Sequence, residues 1–192
     1  MNDRYQHQQY LIRKKFFKVF GDAFHIYDDQ GQLAFYVKQK AFRLKEDIRI
    51  FSSEDMTNEL LVIHARGMID FSATYDVIDS ASGETIGALR RKGMKSLLKD
   101  EWTILDTHDR EIGLITEDSM ALALIRRFLA NLVPQSFHGT IGQQEVFTFK
   151  QRFNPFIQKI ELDFSMDPGG HLDRRIGIAA SVLLSAIEGR QQ

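Results

Sequence analysis

The residues best placed to do chemistry in this 192-residue sequence are cations in two short stretches. Arg90, Arg91, Lys92, Lys95 and Lys99 run across Gly93, and Lys38, Lys40, Arg43 and Lys45 form a second group. Ammonium and guanidinium groups at such spacing hold phosphate oxygens through charge-assisted hydrogen bonds. The ligand class they point to is an anionic lipid headgroup, with Lys38, Lys40, Arg90, Arg91, Lys92, Lys95 and Lys99 as contacts. Asp100 and Glu101 follow one group, Glu46 and Asp47 the other. A solvated, salt-bridged strand rim is the competing reading, and it is the commoner fate of charges on alternating strands.

Other chemistries find little support. There is no cysteine, which excludes disulfides, thiolate catalysis and cysteine-held metals. None of the six histidines (His7, His25, His64, His108, His138, His171) pairs with another at metal-ligand spacing. His108 lies between Asp106 and Asp109 in a turn, where a solvated role is the commoner one. His171 stands near Asp173 and reads as a loop-closing residue. No nucleophile elbow, phosphate loop or dinucleotide fingerprint occurs, so the expectation is no catalytic residue, no metal and no cofactor. A net charge of -1 argues against a globally basic nucleic-acid binder.

The elements that must carry the cations are mostly strands. Phe24–Val37, Tyr75–Leu89 and Trp102–Ile115 repeat one pattern: an aromatic residue, an apolar residue, an Asp, a tight polar turn and a second apolar strand. Asp28 is followed by Gly31 and Asp79 by Gly83. No glycine follows Asp106 in its turn, which predicts a different turn type there. Further strands are predicted at 11–20, 41–51, 59–66, 136–141, 144–151 and 156–164, enough to close a barrel.

Two segments break the alternation. Ile176–Ile187 is twelve residues without a charge, uniform around a helix and too short to cross a bilayer, so it is predicted to be buried on every side. In 118–132, apolar residues recur at helical spacing with Arg126 and Arg127 opposite, which predicts a short amphipathic helix ending before Pro134. Its Leu122, Ile125, Phe128 and Leu129 would meet a membrane or a partner, or pack on the barrel wall.

The Asp-turn-Gly hairpins, the Lys40-Ala-Phe-Arg-Leu entry to the second hairpin and the closing Leu172-Asp173-Arg174-Arg175-Ile-Gly-Ile-Ala-Ala segment together resemble the LURP-one-related family. That family shares the tubby C-terminal-like fold with the phospholipid scramblases. The resemblance implies a mainly β fold, a roughly twelve-stranded antiparallel closed barrel enclosing the hydrophobic C-terminal helix. Tubby domains bind phosphoinositide headgroups and scramblases are calcium-dependent. This sequence lacks the scramblases' cysteine-rich and proline-rich stretches, and Asp163–Asp173 offers too few oxygens for a Ca²⁺ loop.

The expected organisation is a flexible N-terminal tail at 1–9 and a single tubby-like barrel domain at 10–188. The first expectation for function is a non-enzymatic, soluble binding module docking on anionic phospholipid at a membrane surface. A protein–protein scaffold using the 118–132 helix is the alternative, and an enzyme with a dispersed active site is third. The polar N-terminus lacks the apolar core of a secretory signal and no run is long enough to span a bilayer, so the expected location is the cytoplasm, peripheral at a membrane.

Overall fold

The computed structural model describes residues 3–15, 22–39, 47–67, 73–92, 101–118, 136–152 and 158–188. Alternating sequence becomes strand almost throughout. The strands are β1 (Gln9–Lys15), β2 (Asp22–Asp28), β3 (Leu33–Gln39), β4 (Ile48–Phe51), β5 (Glu59–Ala65) and β6 (Thr74–Asp79). Then come β7 (Thr85–Arg91), β8 (Glu101–Leu105), β9 (Glu111–Glu117), β10 (Ser136–Ile141), β11 (Gln144–Arg152) and β12 (Gln158–Asp163). Each pairs antiparallel with the next, and β12 returns to pair with β1, which closes the barrel and removes both sheet edges.

One face of each strand fills the lumen with Phe24, Ile26, Phe35, Ile50, Val77, Ile104, Phe137 and Phe147. Each such side chain contributes about 1.5–3 kcal/mol on burial. The helix α1 (Arg174–Glu188) completes this core. Every residue from Ile176 to Ala186 is buried, so all faces of the helix meet protein. It packs against β5, β6 and β7. Its two buried hydroxyls are satisfied within the helix: Ser181 donates to Ile178 O at 2.7 Å and Ser185 to Ser181 O at 2.6 Å. Gly177 lets the helix approach Phe164, since a Cβ there would stand 2.5 Å from the ring.

The turn without glycine is not a different turn. Asp28 Oδ1 accepts from the amides of Gln30 and Gln32, and Asp106 Oδ1 accepts from those of His108 and Arg110. Gly31 has φ +78° and Asp109 takes φ +61° in its place. Aspartate is among the few residues that enter this left-handed region readily, so the expectation of a second turn type is corrected.

The N-terminus also differs from its reading as a tail. A 3-10 turn at Asp3–Tyr5 buries Tyr5 in the core. Arg4 Nη1 donates to the carbonyls of Leu33, Ala34 and Ser52, and Tyr10 donates its hydroxyl proton to Arg4 O. Hairpin turns and the link from β12 to α1 occupy this end of the barrel. The strand termini at the opposite end are joined by sequences outside the described residues, among them most of the expected 118–132 helix.

Candidate functional site

Because α1 occupies the lumen, a ligand must be met on the outer wall or at a barrel end. Of the expected basic residues, the described ones stand on two separate parts of the wall. Lys38 is exposed near the end of β3, while Arg90 and Arg91 end β7. Four inter-strand steps separate β3 from β7, roughly 19 Å of wall at about 4.8 Å each. Arg90 Nη1 lies 3.7 Å from Glu111 Oε1, and Lys92 pairs with Glu101. Arg91 lies near Trp102, its guanidinium carbon 5.9 Å from the ring centre. Lys40, Lys95, Lys99, Leu122, Ile125, Phe128 and Leu129 lie outside the described residues.

Barrel closure assembles a different set. On the outer face of β11, β12 and β1, register places Arg152 opposite Lys159 and Lys159 opposite Arg13. One step back stand Lys150, Glu161 and Leu11, and one further Thr148, Asp163 and Gln9. Glu161 Oε2 accepts from Arg152 Nη2 at 2.8 Å, which pushes the guanidinium pKa further up. The Arg13 guanidinium carbon lies 4.9 Å from the centre of the Tyr27 ring. Among the described residues no carboxylate pairs with Lys159, Lys150 or Arg13. Sequence reasoning missed this set because its members sit on strands from opposite ends of the chain. Alternation marks each as outward-facing, but only the β1–β12 register makes them neighbours.

Charge is unevenly distributed along the barrel axis. Carboxylates stand in four of the five described hairpin turns, Asp28 and Asp29, Glu54 and Asp55, Asp79 and Glu84, and Asp106 and Asp109 beside Arg110, and Glu145 follows the fifth turn inside β11. Asp163 ends β12 and the β12–α1 link adds Asp167 and Asp173, with Arg4, Arg174 and Arg175 among them. At the other end the strand termini carry Arg13, Lys38, Arg90, Lys92, Arg152 and Lys159, with Asp47, Glu101, Asp118 and Glu161 among them.

A family model described as LURP-one-related matches residues 33–179. The chain belongs to the LURP-one-related family. The match runs from the start of β3 into α1 and so includes Lys150, Arg152 and Lys159, while Arg13 precedes it. No curated protein matches this LURP-one-related chain.

Two further constellations belong to the LURP-one-related barrel. His138 on β10 lies between Thr116 Oγ1, 2.9 Å from Nε2, and Asp118 Oδ1, 2.6 Å from Nδ1. The order is that of a nucleophile, base and carboxylate relay. Thr116 sits within the ladder, registered to Glu101 on one side and His138 on the other, so the surrounding amides are committed to strand pairing. Free amide donors for an oxyanion are what acyl transfer would add. Among the described residues, Thr107 Oγ1 is the side-chain partner of His108 Nδ1, at 3.2 Å.

The second constellation holds the helix entry. Asp173 caps α1, accepting from the Arg175 amide at 2.9 Å. Arg175 bonds Asp173 and reaches Asp79 Oδ2, while Arg174 lies over the Phe164 ring and donates to His7 O. Asp167 Oδ1 accepts from the His171 amide and pairs with its Nδ1, and Oδ2 accepts from the Leu172 amide. His171 thus closes the loop through Asp167, not Asp173. These residues fasten α1 into the barrel. Among the described residues no group of three or more His, Asp or Glu could hold a metal ion, and no helix is long and apolar enough to cross a membrane.

Proposed function

We propose that this LURP-one-related barrel is a non-catalytic binding module that docks on anionic phospholipid headgroups at a membrane surface. The observation that supports it is the separation of charge along the barrel axis: acidic turns at one end, exposed cations at the other. In the field of an anionic membrane such a body turns its basic end toward the lipid, and each cation near the surface adds about 1 kcal/mol. The filled lumen makes this a surface event and argues against a carrier with its cargo inside.

Docking of this kind weakens as salt rises, because the screening length falls from about 10 Å at 0.1 M to about 3 Å at 1 M. Co-sedimentation with phosphatidylcholine vesicles, alone and with added phosphatidylserine, tests it. Binding only to the anionic vesicles, lost at high salt and weakened by Lys38→Glu with Lys150→Glu, is expected. Equal binding to neutral vesicles, or none to either, sinks the reading.

A further inference from the structure

We infer that the row Arg152–Lys159–Arg13 on the outer wall of β11, β12 and β1 is a site for the phosphomonoester of a lipid headgroup. This rests on the membrane-docking reading and assigns the contact to a surface that neither cationic stretch of the sequence includes.

Three cations stand directly side by side on three neighbouring strands. At about 4.8 Å per strand the row spans roughly 10 Å. Like charges directly opposite one another in an antiparallel sheet cost stability. Among the described residues, Arg152 is the one member of the row relieved by a carboxylate, Glu161 at 2.8 Å. Register sets Lys150 opposite the same Glu161, so one carboxylate serves a neighbourhood of four cations. An anion laid across Lys159 would relieve the repulsion that the fold itself leaves standing.

The geometry selects among anions. A phosphomonoester carries about -1.5 to -2 at pH 7 and three terminal acceptor oxygens. The Lys159 ammonium is a compact donor at the centre of the row, and Arg13 and Arg152 are planar forks on either side. A phosphodiester has one charge and two free oxygens, so it satisfies fewer of these donors. Leu11 and Tyr27, registered to each other beside Arg13, put an apolar shoulder next to the row. That shoulder favours a lipid over free phosphate.

The test compares vesicles containing phosphatidic acid, a monoester, with vesicles containing phosphatidylglycerol, a diester, at matched surface charge. The wild-type protein should bind the first about tenfold more tightly. Lys159→Gln should bring the two within about twofold, at an unchanged or raised melting temperature, since it removes a like charge. Arg110→Gln, the same charge change at the opposite end of the barrel, should keep the preference. Inositol hexakisphosphate and inorganic phosphate as competitors separate headgroup from free anion: displacement by millimolar inorganic phosphate as effective as that by lipid would overturn the lipid assignment. Equal binding to both vesicles, or a preference that survives Lys159→Gln, overturns this site while leaving membrane docking standing. Binding to neither vesicle overturns both.

Discussion

Arg175, in the first turn of the buried helix, places its Nη1 2.5 Å from Asp79 Oδ2 at the end of β6. One ion pair thus joins the plug to the barrel wall. Asp173 shares the guanidinium, so Arg175 is held from two sides. Arg175→Gln should lower unfolding free energy by about 2 kcal/mol, because it leaves partly buried Asp79 without its partner, and Asp79→Asn by about 1 kcal/mol, since Arg175 keeps Asp173. Urea unfolding measures this. The double variant should lose less than the sum of the two, and additivity would mean the pair carries no coupling.

Acid should act at the same place. Burial pushes the Asp79 pKa up, but the amides of Ser82 and Ala81 and the Arg175 guanidinium outweigh it and hold it below the usual carboxylate value. Burial likewise opposes, and the His171 and Leu172 amides and the His171 side chain overcome, in Asp167. A carboxylate with a lower pKa folded than unfolded adds stability above its unfolded value of about 3.9 and loses it as pH falls through the folded value. Urea midpoints should therefore drop as pH falls below about 4. Asp79→Asn should show a shallower drop over that window, and an unaltered slope would remove Asp79 from the account.

The interior tolerates neither charge nor bulk along α1. Ala180 is fully buried. Ala180→Asp should yield no soluble folded protein, since it strands an unpaired carboxylate among apolar groups. Gly177→Ala should fold but lose about 1–3 kcal/mol, through overpacking against Phe164. Soluble expression and chemical denaturation check the two. A stable Ala180→Asp protein would mean the helix is not encased.

On the outer wall, Arg66 binds Asp76 through Nε and Asp109 through Nη1, the latter at 2.6 Å. Asp109 belongs to the β8–β9 turn, so this contact draws that turn across β7 toward β6. Thr103 and Leu105, outward-facing in β8, are fully buried. Arg66→Gln should cost only about 1 kcal/mol, the pair being exposed to solvent. Amide exchange at Thr107–Arg110 should nevertheless speed up while the β1–β2 amides stay unchanged. Uniform acceleration would point to global destabilisation instead.

The hairpins are legible in the sequence because their determinants are local. Asp28, Asp79 and Asp106 each bond the amides that follow, and apolar alternation on either side does the rest. The uniform apolarity of Ile176–Ile187 is equally local, and it announces an encased helix without any knowledge of the wall around it. What local pattern cannot carry is partnership across the barrel. Arg90 and Lys92 read as an available cationic group, yet Glu111 and Glu101 meet them from other strands. Arg13 and Lys159 show nothing in common until the β1–β12 register makes them neighbours. Asp109 shows a smaller limit: the rule that a tight turn wants glycine hides the aspartate that takes the same backbone conformation.

The order of elements along the chain carries a consequence for biosynthesis. The plug around which the twelve strands close leaves the ribosome only after every one of them. Until then the growing polypeptide exposes lumen-facing phenylalanines with nothing to cover them, and β1 waits for β12 through most of translation. The nascent chain is therefore a natural client for holding chaperones. A ribosome stalled before Arg174 should display a protease-sensitive chain, and release past Glu188 should convert it to a resistant one in a single step.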